Sequence, residues 1–539
     1  MTERPNMQRR TFMKSMVLGS AALSAGIAQQ GCGSSTSTTG KRPNIILIMA
    51  DDMGFSDIGC YGSEIRTPNI DSLAQDGLRF TQFYNAARCC PTRASLLTGL
   101  YPHQAGMGGM VNIAGEDNGV EGPYQGYLND NCVTIAEAMK SAGYSTLMSG
   151  KWHVGEARPH WPTDRGFDRY FGLLSGGANY FDITKTKADG VTRKMALDDE
   201  PWTPPEDGFY MTDAISDHAV DFLGESAGED NPFFMYVAYT APHWPLHALR
   251  EDIERYRGKY MDGWETLRDA RYKRLIELGI IDESWPLSPL DDEAVRWDDA
   301  PDKELMDLKM AIYAAQIDRM DQGIGRILDS LKASGQEDDT LVLFISDNGG
   351  CHEGGALGFD YRKNGLPPGG EDSYMSYGRS WANASNTPFR MFKHWVHDGG
   401  IATPLVARWP KGIAANGALT GEVGHIVDIM ATCCELAGAD YPAQLNGHEI
   451  TPLEGKSLVP VLKGGTREGH EALYWEHLTS RAVRKDKWKL VSKKDNAWEL
   501  YDLEADRSEL NDLSEGNPAV VDDLKNMYSE WAVKCGVKQ

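Results

Sequence analysis

The stretch CCPTRASLLTG, from Cys89 to Gly99, combines a nucleophile, an anion-binding cation and a helix start. Pro91 suits the first turn of a helix and Gly99 suits its end. Cys89 would then lie at the helix N-terminus, where free backbone N–H groups and the helix dipole favour an anion. Arg93, one turn further along, can direct a planar fork of donors at the same anion. The stretch therefore predicts a nucleophile held beside a bound anion.

Two pairs of polar residues directly follow two apolar runs, NIILIMA and LVLFIS. The first pair is Asp51 and Asp52, and the second is Asp347 and Asn348. Four oxygen ligands without histidine or cysteine suit a hard cation such as Ca²⁺, and Mg²⁺ is less favoured because it gives up its water reluctantly. Taken singly, each pair is also typical of a turn or a helix cap after a strand.

Basic residues follow two further apolar segments. Lys151 and His153 lie in GKWHVG, and His243 lies in APHWP. A spacing of two places Lys151 and His153 on one face of an extended segment. The formal net charge is −24, which argues against nucleic acid as a partner. An acidic protein that handles an anion needs a local basic pocket, which Arg93, Lys151 and Lys393 would provide.

Apolar runs of strand length alternate with segments of helical spacing. This alternation predicts an α/β fold in which helices cover both faces of a sheet, with ligands at the carboxyl ends of its strands. The expected strands are 44–50, 144–148, 233–239, 341–346 and 404–407, and the expected helices are 70–80, 131–142 and a long one over 310–331. Short strands at 472–476, 481–483, 488–491 and 498–501 and a helix over 520–533 predict a small antiparallel C-terminal sheet. Residues 245–300 read as an insertion that could border a cleft.

The N-terminus has the order of an export signal: basic, apolar, small, polar. Residues 1–31 contain Arg9-Arg10 and resemble a twin-arginine signal, and residues 32–43 are a Gly/Ser/Thr-rich linker. Gly31-Cys32 resembles the end of a lipobox, although Gln29 departs from it, so both a lipid anchor at Cys32 and plain cleavage stay open. Export would take the protein to the periplasm, the cell envelope or the medium.

The fixed positions of Cys-x-Pro-x-Arg-x-x-Leu-x-Thr-Gly are all present from Cys89 to Gly99, and this pattern resembles the signature of type I sulfatases. The resemblance implies that Cys89, rather than Cys90, is oxidised to formylglycine by a separate maturation enzyme, either a formylglycine-generating enzyme or an anaerobic maturase. A hydrated aldehyde carries two hydroxyls on one carbon. One would attack sulfur, and loss of the proton from the other would expel sulfate.

The same resemblance implies roles for the remaining candidates. Calcium would be held by Asp51, Asp52, Asp347, Asn348 and the formylglycine oxygen at position 89. Lys151 would contact sulfate together with Arg93, His153 would remove the hydroxyl proton, and His243 and Lys393 would hold sulfate and assist the leaving oxygen. Asp347 would also help to deprotonate the nucleophile. One departure is Asp398-Gly399-Gly400, where the family usually has Glu-Gly-Gly.

The resemblance covers residues 44–539 and includes WANASNTPFR, which is similar to the arylsulfatase branch. It implies an alkaline-phosphatase-like fold: a large mixed, mostly parallel sheet between helices, in a catalytic domain over 44–465. A small C-terminal domain over 466–539 would hold a four-stranded antiparallel sheet and a helix. The implied reaction converts R–O–SO₃⁻ to R–OH and sulfate, on a sulfated small molecule or a sulfated saccharide.

Two other functions stay open. A phosphomonoesterase or phosphodiesterase of the same superfold would carry Ser or Thr as its nucleophile, commonly with two metals held partly by histidine. A catalytically silent binder of sulfated glycans would keep Cys89 unmodified and release no sulfate. The sequence leaves the oligomeric state, the disulfide pairing and the identity of the alcohol open.

Overall fold

The computed structural model describes residues 41–111, 120–186, 190–413 and 416–538. The predicted export signal, Cys32 and most of the predicted 32–43 linker lie outside these residues. Within them, no helix combines the length and the apolar character needed to cross a bilayer.

Ten strands build the large sheet, and the remaining strands form a hairpin and a C-terminal sheet. The ten strands are β1 (Asn44–Asp51), β2 (Leu78–Tyr84), β3 (Ser145–Gly150), β4 (Arg169–Leu173), β5 (Met195–Leu197), β6 (Glu200–Trp202), β7 (Phe233–Pro242), β8 (Thr340–Ser346), β9 (Ala402–Arg408) and β10 (Ala418–His425). The hairpin is β11 (Gln444–Leu445) and β12 (His448–Glu449), and the C-terminal sheet is β13 (Leu473–His477), β14 (Ser480–Lys485), β15 (Trp488–Ser492) and β16 (Glu499–Asp502).

Twelve α-helices occur in the described residues. They are α1 (Pro68–Gln75), α2 (Cys89–Thr98), α3 (Ile135–Ser141), α4 (Met211–Ser226), α5 (Arg250–Glu254), α6 (Gly263–Glu277), α7 (Lys303–Ala333), α8 (Gly378–Ser385), α9 (Asp398–Ile401), α10 (Asp428–Ala437), α11 (Val459–Leu462) and α12 (Pro518–Cys535).

The large sheet has the strand order β10-β2-β9-β8-β1-β7-β3-β4-β5-β6. Its centre is parallel, because β1 pairs in parallel with both β7 and β8, and β3 pairs in parallel with β7 and β4. Strand β9 runs antiparallel to β2 and β8. The sheet is therefore mixed with a parallel core, and the predicted α/β fold class is confirmed.

Burial on both faces explains why β1 is a continuous apolar run. Ile46 and Ile48 join the core cluster that also contains residues of α4 and α7, whereas Ile45 and Leu47 join the cluster that contains residues of α2, α3 and α10. Successive side chains of a strand point to opposite faces, so each helical layer receives alternate residues of β1.

The predicted helix over 70–80 was wrong at its end. Helix α1 stops at Gln75, and strand β2 begins at Leu78. Gly77 marks the change: a Cβ added there would lie 2.2 Å from the backbone oxygen of Ala407 on β9, so only glycine lets the chain pass this close. The apolar stripe of the helix runs into the first residues of the strand, and helical spacing alone does not separate them.

The predicted helix over 131–142 starts later than expected, at Ile135. Thr134 caps it, because its side chain accepts a hydrogen bond from the backbone N–H of Glu137 and the Glu137 carboxylate accepts one from the backbone N–H of Thr134. This reciprocal capping box satisfies two N–H groups that a helix start otherwise leaves open.

The C-terminal sheet β13-β14-β15-β16 is antiparallel and packs with α12 around its own core cluster, as predicted. It also contacts the large sheet. Trp475 Nε1 donates to the backbone oxygen of Asn85 at 2.8 Å, and Arg484 Nη1 donates to Tyr84 Oη at 2.7 Å. Its division from residues 44–465 as a separate domain stays a prediction. The 245–300 segment contributes α5 and α6.

Candidate active site

The predicted site residues converge at the edge of the large sheet where its parallel strands end. Asp51 closes β1, Asp347 follows β8, Lys151 follows β3, and His243 follows β7. Cys89 opens α2 above this edge. The carboxyl ends of parallel strands share one edge, which brings together residues far apart in the chain.

Asp52 makes the turn after β1 in the left-handed region, with a φ of 68°. Its backbone N–H donates to Asp347 Oδ1 at 3.0 Å, so the ends of β1 and β8 are locked together. A non-glycine residue in this conformation is uncommon, and Asp and Asn tolerate it better than most. The turn gives Asp51 and Asp52 different directions, and each carboxylate meets a different lysine.

Buried cations pair with these carboxylates. Lys151 Nζ donates to Asp51 Oδ2 at 2.6 Å, and Lys393 Nζ donates to Asp52 Oδ2 at 2.8 Å. Arg93 Nη2 lies 2.9 Å from Asp347 Oδ2 and 3.7 Å from Asp51 Oδ2. Burial favours the neutral lysine, but the carboxylates hold the pKa of both lysines above the ordinary value. Arg93, Lys151 and Lys393 are therefore buried together with the carboxylates at this edge of the sheet.

Two oxygens at this edge have no hydrogen-bond donor among the described residues, Asp51 Oδ1 and Asn348 Oδ1, and both are fully buried. Asn348 Nδ2 donates to Asp52 Oδ1 at 2.8 Å, which fixes the amide so that its oxygen faces away from Asp52. An orphaned buried oxygen is costly unless something outside the protein satisfies it. These oxygens, with the carboxylate of Asp347, are the donor set a hard cation takes, so the residues fit a bound Ca²⁺.

Cys89 is buried at the N-terminus of α2 beside His153 and Cys90. A hydrogen bond from Cys90, together with the charge of Lys151 and the nearby His153, holds the pKa of the Cys89 thiol well below its ordinary value despite burial. The side chain at position 89 is therefore in a site that stabilises negative charge.

His153 lies close to Cys89, but the segment that carries it is not regularly extended. His153 has a φ of 59°, in the left-handed region. This turn, rather than strand alternation, brings its ring to the same site as Lys151. Burial and the charge of Lys151 lower the pKa of His153 to about 4, so the imidazole is neutral at neutral pH.

A pocket of about 200 Å³ opens above these residues. Its floor contains Cys89, His153, His243 and Lys393. Its walls are formed by Arg88, Met110, Val111, Glu156, Gly176, Gly177, Arg193, Trp244 and Glu353. Small-molecule sites commonly combine an apolar lining with a few convergent polar groups, and this pocket has that character.

The sequence interpretation missed the wall residues. Glu353 accepts hydrogen bonds from Arg88 Nη2 at 3.1 Å and from Trp244 Nε1 at 2.8 Å. Arg88 and Trp244 are direct neighbours of predicted site residues, and Glu353 follows the same strand as Asp347, so their positions in the chain were the available signal.

The pair Gly176-Gly177 after β4 was also missed. A Cβ at Gly176 would lie 2.8 Å from His153 Nε2, and a Cβ at Gly177 would lie 2.8 Å from His243 Cε1. Only glycine leaves room for both rings, so this segment forms the wall against which the two histidines rest.

Comparison with known proteins identifies the class of enzyme that this fold and site define. A family model described as Sulfatase matches residues 43–439, and one described as N-sulphoglucosamine sulphohydrolase, C-terminal, matches residues 389–532. An arylsulfatase of Klebsiella aerogenes is 35% identical over 455 residues, with 82% of this chain and 96% of that protein covered. An uncharacterized sulfatase of Schizosaccharomyces pombe is 34% identical over 539 residues, with 92% and 94% covered.

A solved structure agrees with these relatives. The crystal structure of Ps i-CgsB in complex with k-i-k-neocarrahexaose is 28% identical and has a TM-score of 0.68, with 91% of this chain and 93% of that chain covered. The fold and the site thus define a sulfate-ester-hydrolysing enzyme of alkaline-phosphatase-like architecture. The chain belongs to the sulfatase family, and the predicted enzyme class is confirmed.

Proposed function

We propose that this sulfatase converts R–O–SO₃⁻ to R–OH and sulfate with a formylglycine made from Cys89 as its nucleophile and with Ca²⁺ bound beside it. The observation that carries the proposal is the position of Cys89. It opens α2, faces the pocket, and lies within reach of every buried cation of the site. A helix N-terminus with converging cations favours a tetrahedral anion at this point.

The side chains of Asp51, Asp52, Asp347 and Asn348 would hold the Ca²⁺. Bound there, the ion would fix the nucleophile and offset negative charge on one sulfate oxygen. Support for this assignment comes from the two buried oxygens that lack a donor within the described residues and from the hard-ligand character of the set. Mg²⁺ is the less favoured alternative, because it dehydrates reluctantly.

The formylglycine would supply a hydrated aldehyde whose two geminal hydroxyls provide attack on sulfur and a route for sulfate release. The residues around position 89 support this chemistry. Arg93, Lys151 and Lys393 are held by carboxylates before substrate arrives, so they are preorganised to stabilise charge on the transferring sulfate.

Histidines serve the proton transfers in this proposal. A neutral His153 beside position 89 is able to accept a proton from that side chain, because its pKa of about 4 leaves the ring unprotonated at neutral pH. His243 lies 3.4 Å from Asp52 Oδ2, and its Nδ1 lies 2.5 Å from the backbone oxygen of Trp244. With Lys393 it would protonate or polarise the leaving oxygen of the substrate.

We also propose an exported protein, on the sequence of residues 1–43 alone. The localisation would be the periplasm, the cell envelope or the medium, with either a lipid anchor at Cys32 or plain cleavage. The domain division at 465/466 is a separate proposal, based on the short strands predicted after residue 465. A formylglycine-generating enzyme or an anaerobic maturase would be the protein's partner in maturation. The substrate would be a sulfated small molecule or a sulfated saccharide, and the neocarrahexaose bound by the related Ps i-CgsB supports including saccharides.

The test is sulfate release by protein produced with a maturation enzyme. Peptide mass spectrometry should show the Cys89 peptide lighter by the difference between a CH₂SH and a CHO side chain. The matured protein should hydrolyse 4-nitrophenyl sulfate far faster than 4-nitrophenyl phosphate, and Cys89→Ala should be inactive. Faster phosphate release would indicate a phosphoesterase. Binding of sulfated glycans by an unmodified thiol form without sulfate release would indicate a silent binder.

A further inference from the structure

One wall of the pocket carries a buried carboxylate that the protein leaves half satisfied. Glu156 is 8% exposed and lines the same pocket as Cys89 and His153. Ser175 Oγ donates to Glu156 Oε2 at 3.0 Å. Its other oxygen, Oε1, has no hydrogen bond or ion pair within the described residues and is not fully buried, so it is accessible from the pocket.

A carboxylate in this setting is costly for the folded protein. Burial raises the pKa of Glu156 to about 7, and the Ser175 hydroxyl with the more distant Lys194 and Arg193 offsets this only in part. Glu353 in the same pocket is different, because Arg88 and Trp244 each bind one of its oxygens. Glu156 thus lacks the protein partner that Glu353 has, and its accessible oxygen is available to an incoming molecule that displaces water from the pocket.

The partner of Glu156 is not the sulfate group, since an anion is repelled by a carboxylate. The partner that would compensate its ionised form is a hydrogen-bond donor on the alcohol side of the ester. The indole of Trp244 lines the same pocket and donates to Glu353. An accessible acceptor oxygen in the pocket suits an alcohol that carries further hydroxyls, such as a saccharide, whereas a simple phenol has no further hydroxyl to donate.

We infer that Glu156 accepts a hydrogen bond from a hydroxyl of the substrate's alcohol, and that the alcohol is therefore a saccharide rather than a simple phenol. The inference rests on the proposed sulfatase function and assigns to Glu156 a specificity role that is separate from the chemistry at Cys89.

The backbone around Glu156 gives it a fixed place relative to the reacting atoms. Ser175, which binds Glu156, directly precedes Gly176 and Gly177 against the two histidines, and Arg193 Nε donates to the backbone oxygen of Gly177 at 2.9 Å. The wall that holds His153 and His243 in place is therefore the wall that orients Glu156. A substrate whose sulfate sits at Cys89 meets this carboxylate at a set distance, as discrimination between alcohols requires.

The experiment compares Glu156→Leu and Glu156→Gln with the wild type on a panel of monosulfated saccharides and on 4-nitrophenyl sulfate. Leucine keeps the volume and removes the acceptor, whereas glutamine keeps an acceptor oxygen without the charge. Glu156→Leu should lower kcat/KM on the best saccharide roughly 10–100-fold, mainly through KM, because one buried hydrogen bond is lost. Glu156→Gln should retain more of that activity, and in both variants the loss on 4-nitrophenyl sulfate should be much smaller than the loss on the saccharide.

Glu454→Gln is the matched control for loss of a carboxylate, since Glu454 does not line this pocket. Urea unfolding of each variant establishes that it is folded before kinetics are compared. The inference is overturned if the wild type hydrolyses aryl sulfates but no saccharide, if Glu156→Leu leaves saccharide turnover unchanged, or if it lowers both substrates equally. Matured wild type that releases no sulfate from any ester would overturn the proposed function together with this inference.

Discussion

Two groups of buried charges lie in this molecule, and they are built differently. The pocket cluster is defined by Asp51, Asp52, Arg93, Lys151, Asp347 and Lys393. The anchor cluster is defined by Asp398, Lys489, Arg507 and Glu509. All of these side chains are at most 2% exposed, so both clusters carry the same cost of removing charges from water.

The carboxylates of the anchor cluster are closed in the sense that each of their oxygens has a cation or a backbone N–H of the protein within 3.2 Å, although Glu509 Oε1 and Arg507 Nη2 make no hydrogen bond within the described residues. Lys489 Nζ lies 2.7 Å from Asp398 Oδ1 and 2.7 Å from Glu509 Oε1, and Arg507 Nε lies 3.2 Å from Asp398 Oδ2. The backbone N–H of Asp398 donates to Glu509 Oε2 at 2.9 Å. Because Lys489 belongs to β15, Arg507 and Glu509 follow β16, and Asp398 opens α9, these contacts tie the C-terminal sheet to the large sheet.

The pocket cluster is left open. Asp51 Oδ1 and the neighbouring Asn348 Oδ1 are buried and lack donors within the described residues, and Glu156 in the same pocket receives a hydrogen bond on only one of its oxygens. Equal burial therefore does not distinguish a functional charge from a structural one. What distinguishes them is whether each carboxylate oxygen faces a cation or an N–H of the protein or is left for a ligand.

The largest effect is expected in the anchor cluster. Asp398→Asn leaves Lys489 and Arg507 with one carboxylate between them, and removing one partner of a buried ion pair costs about 3–5 kcal/mol. Although burial opposes it, Lys489 and Arg507 hold the pKa of Asp398 below its ordinary value, which shows that its charge is used in the fold. Urea unfolding at neutral pH should therefore give a much lower midpoint.

The activity of the same variant gives the control. Under conditions where Asp398→Asn stays folded, its turnover of 4-nitrophenyl sulfate per folded molecule should remain near that of the wild type. An unchanged unfolding midpoint with lost turnover would assign Asp398 to the pocket instead. The anchor cluster would then not be a purely structural group of charges.

The opposite pattern is expected for Lys151→Ala. Lys151 is preorganised by Asp51 beside position 89, and the loss of one such electrostatic group typically lowers kcat by about 10²–10³, or about 2.7–4 kcal/mol. Steady-state kinetics measure this loss, and urea unfolding in the presence of Ca²⁺ should give a smaller decrease in stability than Asp398→Asn. Activity within tenfold of the wild type would contradict a direct role for Lys151.

The sequence supported prediction of the pocket cluster because its members follow strands. Apolar runs such as those of β1 and β8 are recognisable locally, and parallel strands bring the residues after them to one edge. The anchor cluster has no such local pattern. Asp398 was noticed in the sequence only as a departure from a family motif, and its partners Lys489, Arg507 and Glu509 lie in another sheet.

Two other features were missed in the sequence for the same reason, because they depend on contacts between distant parts of the chain. The end of α1 and the start of β2 were misread because the close packing of Gly77 against β9 is a long-range contact. Glu156 resembles any solvated glutamate in sequence, and only the fold shows that it is buried with a single donor. Charge and periodicity predict what a segment does locally, whereas burial and pairing depend on elements distant in the chain.

Ca²⁺ bound at the pocket cluster should stabilise the folded protein, and the anchor cluster should not contribute to this stabilisation. At a free Ca²⁺ concentration of 100 times Kd, binding to the folded state alone adds about 2.7 kcal/mol to the free energy of unfolding. Urea unfolding with excess Ca²⁺ and with a chelator measures this difference. Asn348→Ala should reduce it and Asp398→Asn should retain it, whereas an equal response of wild type and Asn348→Ala would remove Asn348 from the proposed site.

The smallest effects are changes in the free energy of unfolding with pH. They have opposite signs for Glu156 in the pocket wall and for Glu499 in the C-terminal sheet. Glu156 has a folded-state pKa of about 7 against 4.5 for an ordinary glutamate, because it is buried. The folded protein therefore binds this proton more tightly, so the contribution of Glu156 to stability is complete below pH 4.5 and is lost as the pH rises through 7. Glu156→Gln should then increase the free energy of unfolding at pH 8 by about 2 kcal/mol and change it little at pH 5.

Glu499, which lies on β16 close to His397 and Arg390, should behave in the opposite way. Despite burial, its hydrogen bonds to His397 and Tyr501 lower its pKa to about 2, so its stabilising contribution is present above pH 4.5 and is lost as the pH falls toward 2. Because the side chain is 28% exposed, solvent screening reduces its contribution, and Glu499→Gln should cost about 1 kcal/mol at both pH 5 and pH 8. Urea unfolding of both variants at the two pH values measures these changes. If Glu156→Gln were instead destabilising at pH 8, the carboxylate of Glu156 would be satisfied within the protein, and the pocket wall would belong with the closed anchor cluster rather than with the open site.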